Sequence, residues 1–121
     1  MSGNISDILA SLDALVVYQM KRMEKAQVLA KYEDQERKPE YAGYEIASRD
    51  IIEDCIASAN MIRNKGTWND ALHEIRALLR YERDNNNALR FARSEIDKGR
   101  SCEYSNIVRQ LESLVRFYEM Q

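Results

Sequence analysis

Carboxylates at helical spacing are the first residues of this chain that suggest chemistry. Glu33 and Glu36 stand three apart, as do Asp50 and Glu53, with Asp34 and Asp54 beside them. On a helix that spacing projects two side chains together. Pro39 lies between the two sets, and an antiparallel hairpin folding there would bring them close, an oxygen-rich cage of the kind Mg²⁺ prefers. The single histidine, His73, follows Asp70 by one turn, but bundle di-metal sites draw such motifs from two facing helices. His73 therefore reads as a surface residue near a first-turn acid. Cys55 and Cys102 have no histidine nearby in sequence, and there is no GxSxG and no glycine-rich phosphate loop. Nucleophilic catalysis has no support.

The pairs Glu33/Glu36 and Asp50/Glu53 are similar to the ExxE…ExxD arrangement of the all-α nucleotide pyrophosphohydrolases. The similarity covers residues 33–54, and the second pair reads DxxE rather than ExxD. It implies an oligomerising helical bundle in which Glu33, Glu36, Asp50 and Glu53 hold Mg²⁺ for hydrolysis of nucleoside triphosphates. Apart from Mg²⁺ under that alternative, no cofactor is expected.

A second set of residues could handle phosphate. Arg76, Arg80, Arg83 and Arg90 fall on one stripe if their segment is a continuous helix, with Arg93 close by and Tyr81 and Phe91 interleaved. Arginines at that spacing can follow a phosphate backbone, and aromatics can stack on unpaired bases. Glu74, Glu82, Asp84, Glu95 and Asp97 share the segment, however, and the sequence pI is about 5.5. Nucleic-acid modules carry a more basic footprint. A solvated face with pairs such as Arg80 and Asp84 is the preferred reading, with nucleic-acid binding as the alternative.

A third set suits protein contacts. Tyr18, Tyr32, Tyr41 and Tyr44 gather around the first hairpin with Glu33, Asp34, Glu36 and Glu40, an acidic, aromatic docking edge. The chain has 7 tyrosines, 1 tryptophan, 5 methionines and twelve arginines, residue types enriched at interfaces.

Helices must position all of these. Four glycines and one proline in 121 residues cannot supply the turns a strand-rich domain needs. Ile5, Ile8, Leu9, Leu12, Leu15, Val16, Met20, Met23, Ala26 and Ala30 recur at three and four, which predicts a helix from Asn4 or Ser6 to about Lys38, ended by Pro39. Val17, Tyr18, Val28, Leu29 and Tyr32 make a second stripe on it, predicting burial on two sides, the second by another copy. A second helix covers roughly Tyr41 to Asn64, weakened early by Gly43 and stopped by Gly66. Thr67 with Asp70 three residues later resembles a capping box and opens a third helix carrying Trp68, Leu72, Ile75 and Leu79. Asn85-Asn86-Asn87 is poor helix material, yet the stripe continues through Leu89, Ala92 and Ile96, and a single long, locally weakened helix is the preferred reading. Gly99-Arg100-Ser101 reads as the last turn, with Ser101 capping a final helix whose Tyr104, Ile107, Val108, Leu111, Leu114, Val115 and Tyr118 form a heptad seam.

The expected architecture is an all-α, antiparallel up-and-down bundle of four helices, five if the asparagines break the third, as one domain over residues 1–121. Hydrophobic residues at 45% and charged residues at 31% suit amphipathic helices and argue against disorder. Net charge is −2, with an acidic first half and a mildly basic second half, too little to dictate a partner. No apolar run reaches membrane-span length. The first 25 residues lack a basic leader and carry Asp7 and Asp13, so they do not read as a secretory signal. Two isolated cysteines fit a reducing, cytoplasmic setting. The expected function is that of a non-enzymatic interaction protein, an adaptor, regulator or small inhibitor of the kind phages and mobile elements encode. It is expected to form a homodimer and to bind another protein.

Overall fold

The computed structural model describes residues 3–121 as four helices, α1 (Ile5–Val28), α2 (Lys38–Lys65), α3 (Trp68–Ala88) and α4 (Glu95–Glu119), with no strand among them. Each helix starts where local chemistry satisfies its free N–H groups. Asn4 Oδ1 accepts from Ser6 N at 2.8 Å. Thr67 Oγ1 accepts from Asp70 N at 3.1 Å and donates to the Asp70 carboxylate at 2.7 Å, the cap expected from sequence. Gly66 stops α2 in the left-handed region at φ 74°, with its N–H on Ile62 O.

Four boundaries differ from the sequence expectation. The first helix does not reach Lys38. It ends at Val28 in a π-helical turn (Leu29–Glu33), and a 3-10 turn (Gln35–Arg37) follows Asp34. Pro39 does not close that helix but sits in the first turn of α2, where a missing N–H costs nothing and φ is already helical. The third helix does not run on to Ile96. It stops at Ala88, just past the asparagines, which occupy its last turn and lower its propensity there. α4 begins at Glu95, not at Ser101, because Ser94 Oγ accepts from Asp97 N at 3.1 Å. Gly99 and Ser101 are therefore interior to α4.

The connections make an up-and-down bundle. α1 and α2 are antiparallel, as the Gln19–Ser48 bond shows, and so are α3 and α4, joined through Arg83 and Glu112. One buried apolar cluster draws on all four helices, with Ile8, Leu12, Ile51, Ile62, Ile75, Ile107 and Leu111 at 1% exposure or less. Each of these contributes about 2 kcal/mol through removal from water.

The two parallel helices of the bundle, α2 and α4, form its closest contact. They meet at Gly43 and Gly99, where a methyl on Gly43 would overlap the Ile96 carbonyl oxygen and one on Gly99 would overlap that of Glu40. With α2 and α4 on the short diagonal, α1 leans on α2 and α3 on α4. α1 and α4 are bridged mainly by long polar side chains. At one end Glu103, 1% exposed, receives Arg22 Nη2 at 2.8 Å and Gln19 Nε2 at 2.7 Å, and the same Gln19 nitrogen donates to Ser48 Oγ at 2.8 Å. At the other end Tyr118 Oη donates to the Asp7 carbonyl at 2.9 Å and lies 2.6 Å from Ser11 Oγ, which must then be the donor in that pair. No described helix is long and apolar enough to cross a membrane.

Gly99→Ala is expected to lower unfolding free energy by about 3 kcal/mol or more, because neither neighbouring backbone can retreat without opening the core. Arg22→Ala should cost about 3 kcal/mol by leaving the Glu103 carboxylate buried without its cation. Urea titrations of both variants followed by circular dichroism check the two values.

Candidate functional sites

The carboxylates singled out in the sequence do not converge. Glu33 and Glu36 are exposed in the link between α1 and α2, and Asp34 there accepts from Tyr41 Oη at 3.1 Å. Asp50 lies twelve residues into α2, about 18 Å along its axis, and accepts from Tyr104 Oη at 2.7 Å, while Glu53 faces solvent. Among the described residues no group of three or more His, Cys, Asp or Glu is arranged to hold a metal ion. The Mg²⁺ cage expected of Glu33, Glu36, Asp50 and Glu53 is thus not assembled, because the first helix ends early and its acids go to the hairpin tip. His73 is exposed, and Asp70 is engaged with Thr67.

Two other carboxyl groups do meet. Glu82 on α3, 0% exposed, faces Asp54 on α2, and neither Glu82 oxygen nor Asp54 Oδ2 receives a hydrogen bond from a donor group. Two facing acceptor groups become compatible when one proton is shared between them. Burial pushes the Glu82 carboxyl up to about 9, reinforced by Asp54 and by Asp50. Burial also raises Asp54, and it pushes the adjacent Cys55 thiol up to about 12. Asp54 opens onto a groove of about 350 Å³ between α2 and α3, edged by Ser58, Glu74 and Tyr81. The pair can hold one proton at neutral pH and exchange it through Asp54. Glu82 occupies the core register one turn after Leu78 and Leu79, a signal visible in the sequence but read there only as surface charge.

The arginine stripe divides. Arg90 and Arg93 fall in the link between α3 and α4, with the Arg90 guanidinium 5.5 Å from the centre of the exposed Phe91 ring. Arg76, Arg80 and Arg83 stay together on α3 and line a cleft of about 370 Å³ against α4, where Arg116, Glu112 and Glu119 complete the walls. Arg76 Nε lies 2.8 Å from Glu119 and Arg83 Nη2 lies 2.9 Å from Glu112. The expected Arg80–Asp84 pair is not formed. Arg116 is the member the sequence did not suggest, because only the antiparallel packing of α4 brings it there.

The tyrosine edge is partly consumed by the fold. Tyr41 is buried under the Arg37 guanidinium, 5.1 Å from its ring centre, and Tyr44 Oη donates to Glu40 at 2.7 Å. Arg37 in turn holds Glu40 at 2.7 Å, which keeps that carboxyl below its ordinary range. Tyr18 is engaged with Asn106 Nδ2 at 3.2 Å, whereas Tyr32 is 67% exposed beside Glu33 and Glu36. These residues do not form one continuous surface.

An apolar groove of about 660 Å³, which the sequence reading did not identify, runs between α1 and α4. The Ser11–Tyr118 pair stands at one end and the Tyr18–Asn106 bond toward the other. Ala14 and Leu15 from α1 and Ser113, Leu114 and Phe117 from α4 line it, with Arg109 and Gln110 on its edge. The short side chains of Ala14 and Ser113 leave the trough, and the polar struts keep the two helices from closing it.

The Glu82–Asp54 pair gives a pH dependence of definite sign. Glu82 ionises near 4.5 in the unfolded chain and near 9 in the fold, so between those values the folded state holds a proton that the unfolded state has lost. This stabilisation is complete below about pH 4.5 and disappears as pH rises toward 9. Urea midpoints should fall from pH 5.5 to pH 8.5, and Glu82→Gln should flatten the profile and stabilise the protein at pH 8.5 by about 2 kcal/mol. Comparison of this chain with protein-family models, with characterised proteins and with solved structures gives no match, so a functional reading rests on the surfaces themselves.

Proposed function

We propose that this chain is a non-enzymatic helical interaction protein whose working surface is the α1/α4 face, and that a second copy of the chain occupies it. The observation that carries the proposal is the 660 Å³ groove, an apolar trough with a polar rim on an otherwise well-packed bundle. Phe117, 57% exposed, stands as a knob beside the small residues Ala14 and Ser113. Knob and trough on one face are self-complementary, which is the requirement for a two-fold interface. The rim carries Arg109, which has no carboxylate within ion-pair distance among the described residues. Val17, half exposed on α1, belongs to the stripe of Val17, Tyr18, Val28, Leu29 and Tyr32 for which a second copy was expected.

A dimer formed this way leaves the α3/α4 cleft and the tip bearing Tyr32, Glu33 and Glu36 free for further partners, as an adaptor or regulator requires. The proposal places the chain in the cytoplasm, where the buried Cys55 and the exposed Cys102 stay as free thiols.

Sedimentation equilibrium at about 100 μM, well above the Kd range of weak specific dimers, should give twice the mass of 14.1 kDa. Phe117→Asp should return the monomer while leaving the helical circular dichroism intact. A wild-type monomer at that concentration, or a dimer indifferent to Phe117→Asp, overturns the proposal.

A further inference from the structure

We infer that the α3/α4 cleft is a binding site for a phosphoryl group, held between the guanidinium groups of Arg80 and Arg116. The argument begins with a charge inventory. Four arginines and two glutamates line the cleft, and each glutamate is engaged by one arginine, Glu119 by Arg76 and Glu112 by Arg83. Arg80 and Arg116 are left without a carboxylate partner among the described residues, and both are solvent-facing on opposite walls. The site therefore carries two uncompensated positive charges, which a dianion neutralises.

Geometry favours phosphoryl oxygen over carboxylate. A carboxylate has two oxygens and is served by one planar fork, as Arg37 shows elsewhere in the chain by directing Nε and Nη2 to Glu40 Oε2 and Oε1 at 3.0 and 2.7 Å. A phosphoryl group presents three oxygens to donors from two sides. Leu79 and Val115 form the cleft floor. At about 370 Å³ the space suits a group the size of a nucleotide or a short stretch of nucleic-acid backbone, and both sources share the same phosphoryl chemistry.

The test uses the full chain and inorganic pyrophosphate in isothermal titration at low ionic strength. Saturable binding is expected, weakened about tenfold by Arg80→Ala and by Arg116→Ala, since losing a charge-assisted fork removes roughly one decade of affinity. Arg80→Lys, which keeps the charge and the fold but lacks the fork, should lose less. Arg49→Ala, on α2 and away from this cleft, where it pairs only with Glu45, should bind as wild type. Competition by a nucleoside triphosphate or by an oligothymidylate then identifies the source of the phosphoryl group. Absence of saturable binding overturns the inference. So does equal weakening by Arg49→Ala, or equal competition by hexaglutamate, because either would show that the chain senses negative charge without a site. Phe117→Asp lies outside this cleft, so dimer loss and anion loss are separable outcomes.

Discussion

The contact on which the rest of the bundle depends is the backbone-to-backbone approach of α2 and α4 at Gly43 and Gly99. Two parallel helices on a bundle diagonal are usually kept apart by side chains from both. Here neither has a Cβ at the crossing, so the diagonal shortens and the other two helices are displaced outward. α1 settles against α2, and α3 settles between α2 and α4. The α1/α4 groove lies further along the bundle, between Ser11, Ala14 and Leu15 of α1 and Arg109 to Phe117 of α4. The long side chains of Arg22 and Tyr118 span the seam between these two helices without filling it.

Polar groups inside the bundle divide into two kinds. The Gln19–Ser48–Glu103–Arg22 network is nearly complete, because the buried carboxylate receives donors from two side chains and its cation reaches solvent. Such a network ties α1, α2 and α4 into one arrangement and disfavours a sliding of helices that an all-leucine seam would tolerate. The Asp54–Glu82 pair is different. It is satisfied only by a proton, so its contribution depends on the medium as well as on the fold. A chain selected for stability alone would carry Leu or Gln at position 82.

Much of the architecture was legible in the sequence. The three-and-four spacing of apolar residues shows that each of the four helices exists, though not where each ends, and the Thr67 cap and the Gly66 stop fall where their chemistry requires. The differences have two causes. Gly99 and Pro39 read as local punctuation, but their meaning is set by neighbours distant in sequence or by position within a turn, whereas the asparagine triplet does mark a helix end that the continuing apolar stripe obscures. Gly99 is interior to α4 because Ser94 caps that helix, and it must lack a Cβ because α2 lies against it, a contact that a lone sequence cannot show. Ser94 with Asp97 repeats the pattern of Thr67 with Asp70 and was available as a signal, overshadowed by Gly99-Arg100-Ser101. Of the candidate sites, the arginine group was half visible, since Arg76, Arg80 and Arg83 lie on one helix and Arg116 joins only through antiparallel packing. The groove was invisible because it is an absence of side chains between two elements, and Glu82 was visible only as an acid in core register.

The Tyr118 hydroxyl, which ties α4 to the Asp7 carbonyl across 111 positions of chain, bears on how the molecule is made. During synthesis the α1/α2 hairpin emerges first, with Gln19 and Ser48 already able to pair but with the face meant for α4 open to water. That face cannot be covered until the final helix has left the ribosome, so the nascent chain must hold an incomplete bundle for as long as elongation takes. The polar character of the seam, built on Gln19, Arg22 and Ser11 instead of leucines, limits what the waiting hairpin can stick to.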